Sequence, residues 1–151
     1  MLNNGVYNSP MSHLIINTDG GARGNPGPAA AGYVIKQNSE TIAAFGDYLG
    51  TATNNEAEYQ AVIKALEWLN AHTQESPLVL EFRLDSKLVV NQLKGLFKIK
   101  QPHLLVLAQR VHVLIQNLKS TVSFTHVYRE QNQQADALVN QTLDQQIPRH
   151  L

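Results

Sequence analysis

Four acidic residues of this chain stand where side chains from distant segments could come together. Two follow apolar runs that predict strands, one lies on the apolar stripe of a predicted helix, and one lies in the first turn of another predicted helix. These residues are Asp19, Glu58, Asp85 and Asp136. Four carboxylates at one place repel each other severely unless a counter-charge is present. Their convergence would therefore create a site for a cation.

The ligand type indicates which cation. Oxygen ligands of this kind are typical of Mg²⁺ or Mn²⁺ sites. The chain has no cysteine and no spaced pair of histidines, so little in it selects Zn²⁺. Two divalent ions roughly 4 Å apart can activate water on one side of a phosphodiester and stabilise the leaving oxygen on the other. Phosphodiester hydrolysis is therefore the reaction class that these residues favour.

The segment around Asp19 suits a polyanionic ligand. Leu14, Ile15 and Ile16 predict a short buried strand that holds Asp19 at its end, ahead of a loop rich in Gly and Pro. Gly20 and the glycines after it leave backbone N–H groups uncovered, so a ligand could approach the main chain closely. Alone, the same stretch also fits a hairpin turn that happens to contain an aspartate. The other acidic residues favour the site.

The hydrophobic pattern predicts an α/β fold with the element order βββαβααβα. The predicted strands cover 14–19, 31–36, 41–49, 78–84 and 121–128, and the predicted helices cover 56–72, 87–94, 102–118 and 134–145. Short connections favour an antiparallel meander of the first three strands, and helical crossovers place the last two strands parallel to the first. We therefore predict a five-stranded mixed sheet with helices on both faces. Since ligands bind outside the carboxyl ends of parallel strands, Asp19 and Asp85 should meet at one edge.

Two helical carboxylates are expected at the same edge. Glu58 lies on the apolar stripe of its predicted helix, where a carboxylate is costly unless something pairs with it. A bound cation is one such partner. Glu56 lies off that stripe and suits the helix N-terminus electrostatically. Asp136 falls in the first turn of the helix that follows the last strand.

Composition bounds the class of protein. A chain of 151 residues suits one domain, and we predict a leader at 1–12, a catalytic domain at 13–146 and a tail at 147–151. Lys plus Arg balance Asp plus Glu at 12 each, so an anionic partner must be met by local clusters. The lack of cysteine suits a reducing cytoplasm. No signal peptide and no apolar run long enough to span a bilayer is evident, so we expect a cytoplasmic protein without membrane contacts.

Short motifs around the acidic residues follow one another along the chain: Thr18-Asp19-Gly20, Gly24-Asn25-Pro26-Gly27-Pro28, Thr53-Asn54-Asn55-Glu56-Ala57-Glu58, Leu84-Asp85-Ser86 and Ala135-Asp136-Ala137-Leu138. In this order they resemble the motifs of type 1 ribonuclease H. The resemblance implies a ribonuclease H-like fold and endonucleolytic cleavage of the RNA strand of an RNA/DNA hybrid, leaving 5′-phosphate and 3′-hydroxyl ends. It also implies two Mg²⁺ ions, with Mn²⁺ as a substitute. The ligands implied for these ions are Asp19, Glu58, Asp85 and Asp136.

The same resemblance implies a substrate-binding surface. Asn25, Asn54 and Asn55 would contact the minor groove of the hybrid, and Thr53 would lie near a phosphate of the DNA strand. Side-chain amides suit the RNA 2′-hydroxyl because they both donate and accept hydrogen bonds. For Asn54 and Asn55 the alternative is plain helix capping. We expect both to bind the substrate.

The loop before Asp136 departs from the family pattern. Many members carry a histidine in this loop, whereas residues 128–134 contain none. In this respect the chain resembles the archaeal-like branch of the family. Arg129 or Glu130 is a candidate for a related role, with Arg129 placed at the substrate. His126 falls within the last predicted strand and is not expected to substitute for the missing histidine.

A second departure is the absence of a basic, tryptophan-rich insertion between the middle helices. The lone Trp68 falls on the long helix, where we expect it to pack against the core. What remains is a local basic cluster of Lys87, Lys94, Lys98 and Lys100. Fewer phosphate contacts weaken binding and lessen its salt dependence. We therefore predict modest affinity for the substrate.

Two other functions fit the same residues. A nuclease that accepts double-stranded RNA or a DNA junction would use the same carboxylates and differ in the groove it reads. A non-catalytic nucleic-acid-binding module would keep the fold without the chemistry, but crowded carboxylates that serve no purpose only cost stability. We expect the hybrid-specific ribonuclease, acting as a monomer without an obligatory protein partner.

Overall fold

The computed structural model describes residues 12–73 and 77–147. Its strands are β1 (Ser12–Ala22), β2 (Gly27–Gln37), β3 (Glu40–Ala52), β4 (Leu78–Leu84) and β5 (Thr121–His126). Its helices are α1 (Asn54–His72), α2 (Lys87–Leu93), α3 (Pro102–Leu118) and α4 (Gln133–Gln146), with a 3₁₀ turn at Arg129–Gln131. Of the predicted leader only Ser12 is described, and it begins β1. Of the predicted tail only Ile147 is described; the other leader and tail residues lie outside the described ranges.

β1 lies at the centre of the five-stranded sheet, whose order is β3-β2-β1-β4-β5. It pairs antiparallel with β2 and parallel with β4. β2 pairs antiparallel with β3, and β4 pairs parallel with β5. The predicted mixed sheet and its element order are therefore confirmed. The parallel pairing places the carboxyl ends of β1 and β4 side by side.

α1 and α4 cover opposite faces of the sheet. A Cβ added to Gly20 of β1 would lie 2.2 Å from the backbone of Ala57 in α1. A Cβ added to Gly32, which pairs with Asp19, would lie 2.7 Å from the carbonyl oxygen of Ala135 in α4. Because successive residues of a strand point to opposite faces, the two helices lie on different sides. Glycine at these two positions lets each helix approach the sheet closely.

The main core fills the space between the sheet and α1. It includes fully buried Ile16, Tyr59, Leu66 and Phe82. Trp68 is partly buried against this cluster, as expected for a packing role. The opposite face has a smaller apolar cluster of Ala30, Val139 and Leu143 under α4, with Ile147 packed against it. At the carboxylate-bearing end of α4, Ala135 is also fully buried.

One prediction about β1 is wrong. The strand does not end at Asp19 but continues through Gly20 to Ala22, because these residues pair with Ala29, Ala30 and Ala31 of β2. Asp19 is therefore held inside a hydrogen-bonded ladder.

Within the described ranges, no helix is long and apolar enough to cross a membrane.

Candidate metal centre and nucleic-acid interface

Each of the predicted acidic residues is held by a different element. Asp19 lies in β1 and Glu58 in α1, and both are buried. Asp85 directly follows β4 and is half-buried. Asp136 lies in the first turn of α4 and is also half-buried. The parallel pairing of β1 with β4, together with helices on both faces, brings these elements to one edge of the sheet.

Three of the carboxylates form a tight group. Oxygen atoms of Asp19, Glu58 and Asp85 all lie within 4.8 Å of one another. Asp136 is outside this group of three but close enough to hydrogen-bond the Asp19 carboxyl. The predicted convergence of the four groups is therefore found, with Asp19 in contact with both parts of the cluster. We refer to Asp19, Glu58, Asp85 and Asp136 together as the carboxylate cluster.

The backbone of Gly20 fixes Glu58. Its N–H donates to Glu58 Oε1 at 3.0 Å in a buried hydrogen bond. The prediction that this N–H is left uncovered for a ligand is therefore wrong. This contact is available because α1 approaches β1 closely at Gly20. The Glu58 carboxyl is thus tied to the strand that carries Asp19, and the position of each depends on the other.

Burial and the repulsion between neighbouring carboxylates raise pKa values within the cluster. Burial, followed by the charges of Asp85 and Asp136, raises the pKa of Asp19 from 3.8 to about 8. Burial, followed by the charges of Asp19 and Asp85, raises the pKa of Glu58 well above its ordinary value. The Gly20 N–H opposes both shifts but is outweighed. Among the described residues, no cationic side chain forms an ion pair with any of the four carboxylates.

These observations fit a divalent cation. The donor set consists of oxygen atoms only, which suits hard ions such as Mg²⁺ and Mn²⁺. A buried carboxylate group needs a positive partner, and the described residues offer no such side chain at this site. The cluster is therefore compatible with divalent metal binding.

The residues beside the cluster share a set of hydrogen bonds at the start of α1. Thr53 is the N-cap: its Oγ1 accepts from the Glu56 N–H at 3.1 Å, and Glu56 Oε1 accepts from the Thr53 N–H at 2.8 Å. Capping was the alternative considered for Asn54 and Asn55, and the structure gives that role to Thr53 instead. Glu56 belongs to the same capping box.

The three asparagines have different surroundings. Asn25 Oδ1 accepts from the Asn54 N–H at 3.0 Å, and Asn54 Oδ1 accepts from the Ala22 N–H at 2.9 Å. Among the described residues, none forms a hydrogen bond with the Asn55 side chain. Asn55 instead lines a cavity of about 500 Å³ together with Phe97, Lys98, Lys100 and neighbouring residues. All members of the local basic cluster are exposed.

The segment before α4 is a 3₁₀ turn rather than a plain loop. Arg129 and Glu130 lie exposed on this turn. His126 is exposed at the end of β5, and its ring lies edge-on to that of Tyr128 at 5.5 Å. The prediction that His126 belongs to the strand is confirmed. The predicted roles of Arg129 and Glu130 stay predictions.

The sequence interpretation missed Asn132. This residue is 1% exposed, and its side-chain Nδ2 donates to the Thr18 carbonyl oxygen at 2.8 Å. An asparagine directly before a helix does suggest an N-cap, but its side chain caps nothing in α4. No local signal marks a contact that spans 114 positions of the chain.

The sheet order, the helices on both faces and the carboxylates at one edge define a domain of the ribonuclease H-like class. A sequence family described as "Reverse transcriptase-like" matches residues 17–142. Ribonuclease HI of Halobacterium salinarum is 42% identical over 127 residues, which cover 83% of this chain and 62% of that protein. The crystal structure of LC11-RNase H1 in complex with RNA/DNA hybrid is 40% identical, covers 88% of this chain and 98% of that one, and superposes with a TM-score of 0.85. The chain belongs to the type 1 ribonuclease H family.

The relatives differ from this chain in length. A bifunctional protein of Mycobacterium tuberculosis is 38% identical over 133 residues, which cover 87% of this chain but 35% of that protein. The chain thus spans 35% to 62% of the length of these two curated relatives. The family membership applies to the region that is shared.

Proposed function

We propose that this protein is an endoribonuclease that hydrolyses the RNA strand of RNA/DNA hybrids, leaving 5′-phosphate and 3′-hydroxyl ends. The observation that carries the proposal is the group of three carboxylates whose oxygen atoms lie within 4.8 Å of one another, without a cationic side chain among the described residues to neutralise them. Family membership and the similarity to an enzyme solved with an RNA/DNA hybrid support the same reaction and substrate.

In this proposal, Asp19, Glu58, Asp85 and Asp136 hold two Mg²⁺ ions, for which Mn²⁺ can substitute. Bound divalent ions supply an activated water and stabilise the leaving oxygen of the phosphodiester. The chain's own contribution is to keep the carboxylates fixed: Asp19 lies in a sheet ladder, and the Gly20 N–H orients Glu58. All four carboxylates come from one chain, so the proposal requires no second copy.

The hydrogen bonds of Asn25 and Asn54 indicate how they contact the substrate. Because their side-chain oxygens already accept backbone N–H groups, each has its NH₂ group left to offer. Hydrogen-bond acceptors occur in the minor groove at every base pair. We therefore assign Asn25 and Asn54 to contacts with the minor groove of the substrate that do not depend on its base sequence.

Asn55 has a different part in the proposal. Its side-chain amide forms no hydrogen bond with another described residue, so it can both donate a hydrogen bond to an RNA 2′-hydroxyl and accept one from it. Lys98 and Lys100 line the same cavity and suit backbone phosphates, while the Thr53 hydroxyl remains a candidate for a DNA-strand phosphate. Arg129 is exposed on the 3₁₀ turn that precedes α4, and we propose that it contacts the substrate there.

Cleavage of three matched duplexes tests the proposed specificity. With Mg²⁺ present, we expect cutting of the RNA strand of RNA/DNA, with 5′-phosphate products, and no cutting of RNA/RNA or DNA/DNA of the same sequence. A chelator should stop the reaction. Comparable cutting of RNA/RNA would instead indicate a nuclease of broader specificity. Binding of the hybrid without cleavage under any metal condition would indicate a non-catalytic module.

A further inference from the structure

Asn132 joins the strand that carries Asp19 to the helix that carries Asp136. Its side-chain Nδ2 donates to the carbonyl oxygen of Thr18, the residue directly before Asp19, at 2.8 Å. Its own carbonyl oxygen accepts the N–H of Asp136 at 3.1 Å. Asn132 therefore binds β1 through its side chain, one residue before Asp19, and binds the N–H of Asp136 through its backbone carbonyl.

The remaining polar groups of Asn132 are also engaged. Its Oδ1 accepts from Asn17 Nδ2 at 3.0 Å, and its N–H donates to the Arg129 carbonyl oxygen at 2.9 Å. Asn17 Nδ2 also reaches the Gln131 carbonyl oxygen at 3.3 Å. A buried amide with this many partners has one well-defined orientation, because any other leaves a buried polar group unpaired.

Both packing and hydrogen bonds hold the N-terminal end of α4. The apolar cluster under α4 consists of Ala30, Val139 and Leu143. Val139 lies about one helical turn after Asp136. Ala135, directly before Asp136, is fully buried, and α4 packs closely against Gly32 of β2 at this point. This packing sets the separation of α4 from the sheet, whereas the described hydrogen bonds that join the segment before α4 to β1 are those of Asn17 and Asn132. The position of Asp136 relative to the tight group therefore also depends on the hydrogen bonds of Asn132.

We propose that Asn132 is a positioning residue that holds Asp136 at the carboxylate cluster by tying the start of α4 to β1. The inference deepens the proposed function, because it concerns the same metal centre. Residues that orient metal ligands without touching the metal commonly contribute 10- to 100-fold to metal affinity or activity. A small misplacement of a reacting group can lower the rate about a hundredfold.

The experiment compares the wild-type protein with Asn132→Ala, Asp136→Ala and the double variant. Mn²⁺ binding is measured by titration calorimetry without nucleic acid, and kcat and KM are measured on a labelled RNA/DNA hybrid. We expect Asn132→Ala to weaken Mn²⁺ binding at least about tenfold and to lower kcat by a similar factor, with KM unchanged. In the Asp136→Ala background, Asn132→Ala should have no further effect on Mn²⁺ binding.

A matched control separates positioning from general stability. Asn70 also joins two elements through a side-chain amide, donating to the carbonyl oxygens of Leu66 at 2.9 Å and Leu114 at 3.2 Å. It connects α1 with α3 away from the cluster. Asn70→Ala is expected to lower the unfolding midpoint but to leave Mn²⁺ affinity and kcat unchanged.

Two results would overturn the inference. One is a folded Asn132→Ala protein that binds Mn²⁺ within twofold of wild type; the other is an effect of Asn132→Ala that persists in full without Asp136. If Asn132→Ala does not fold, Asn17→Ala removes only the contacts at 3.0 and 3.3 Å and should still weaken Mn²⁺ binding, with unchanged affinity counting against the inference. A wild-type protein that fails to cut the hybrid would defeat the proposed function, while the Mn²⁺ comparison would still decide the role of Asn132.

Discussion

Replacing Asp19 by asparagine is expected to stabilise the metal-free protein above about pH 4 and to lower hybrid cleavage about a thousandfold. In the folded protein the pKa of Asp19 is raised from 3.8 to about 8, whereas in the unfolded chain it returns to its ordinary value. The stability that this carboxyl contributes is therefore fully present below about pH 4 and is lost as the pH rises through about 8. Asparagine stays neutral and avoids that loss.

The expected gain is on the order of 1.4 kcal/mol for each pH unit between the ordinary pKa and the raised pKa of about 8. Unfolding by urea at pH 5 and pH 8, with a chelator present, measures it. Asp47→Asn, which removes a carboxylate of β3 outside the cluster, should keep the wild-type pH dependence. Activity should fall about a thousandfold, since metal-ion stabilisation supplies several kcal/mol. If the stability of Asp19→Asn and that of the wild type had the same pH dependence, burial and the neighbouring carboxylates would not raise the pKa of Asp19.

Gly20→Ala is expected to destabilise the protein by more than about 3 kcal/mol, beyond the usual cost of overpacking. The added Cβ would lie 2.2 Å from the Ala57 carbonyl carbon and oxygen and 2.5 Å from the Glu58 nitrogen. All of these are backbone atoms, so α1 as a whole would have to move away from β1. That movement would also break the hydrogen bond from the Gly20 N–H to Glu58.

The adjacent glycine provides the control for this prediction. A Cβ added to Gly21 would meet its nearest atom, Val139 Cγ1, at 3.8 Å, which is ordinary van der Waals contact. Gly21→Ala should therefore change the free energy of unfolding by less than about 1 kcal/mol. Urea unfolding of both variants gives the comparison. Equal unfolding midpoints for Gly20→Ala and wild type would contradict the close approach of α1 to β1.

The elements that could be predicted well are those whose signal is local. The alternation of Leu78, Leu80, Phe82 and Leu84 predicts the bounds of β4 as observed, and Pro102 correctly marks the first residue of α3. The end of β1 could not be predicted in this way. Gly20 to Ala22 have the composition of a loop, and only their pairing with β2, which begins beyond the turn, keeps them in the sheet.

The same distinction applies to the candidate site. Each acidic residue carries its own signal, such as the place of Glu58 on the buried stripe of α1, so their convergence could be predicted from the element order. Asn132 has no such signal, because its importance comes from Thr18 in another element. Thr53, Asn54 and Asn55 all suit an N-cap by residue type, and the backbone geometry at the start of α1 gives the role to Thr53.

The central claim is that carboxylates from separate elements form one metal-dependent catalytic centre. Cleavage of a labelled RNA/DNA hybrid in Mg²⁺ by the wild-type protein and by Asp85→Asn, assayed side by side, tests it most directly. Asp85 is a member of the tight group, and the substitution keeps its size while removing its charge. We predict Mg²⁺-dependent cutting by the wild type and a loss of about a thousandfold in the variant. Activity of Asp85→Asn close to that of the wild type would contradict the claim.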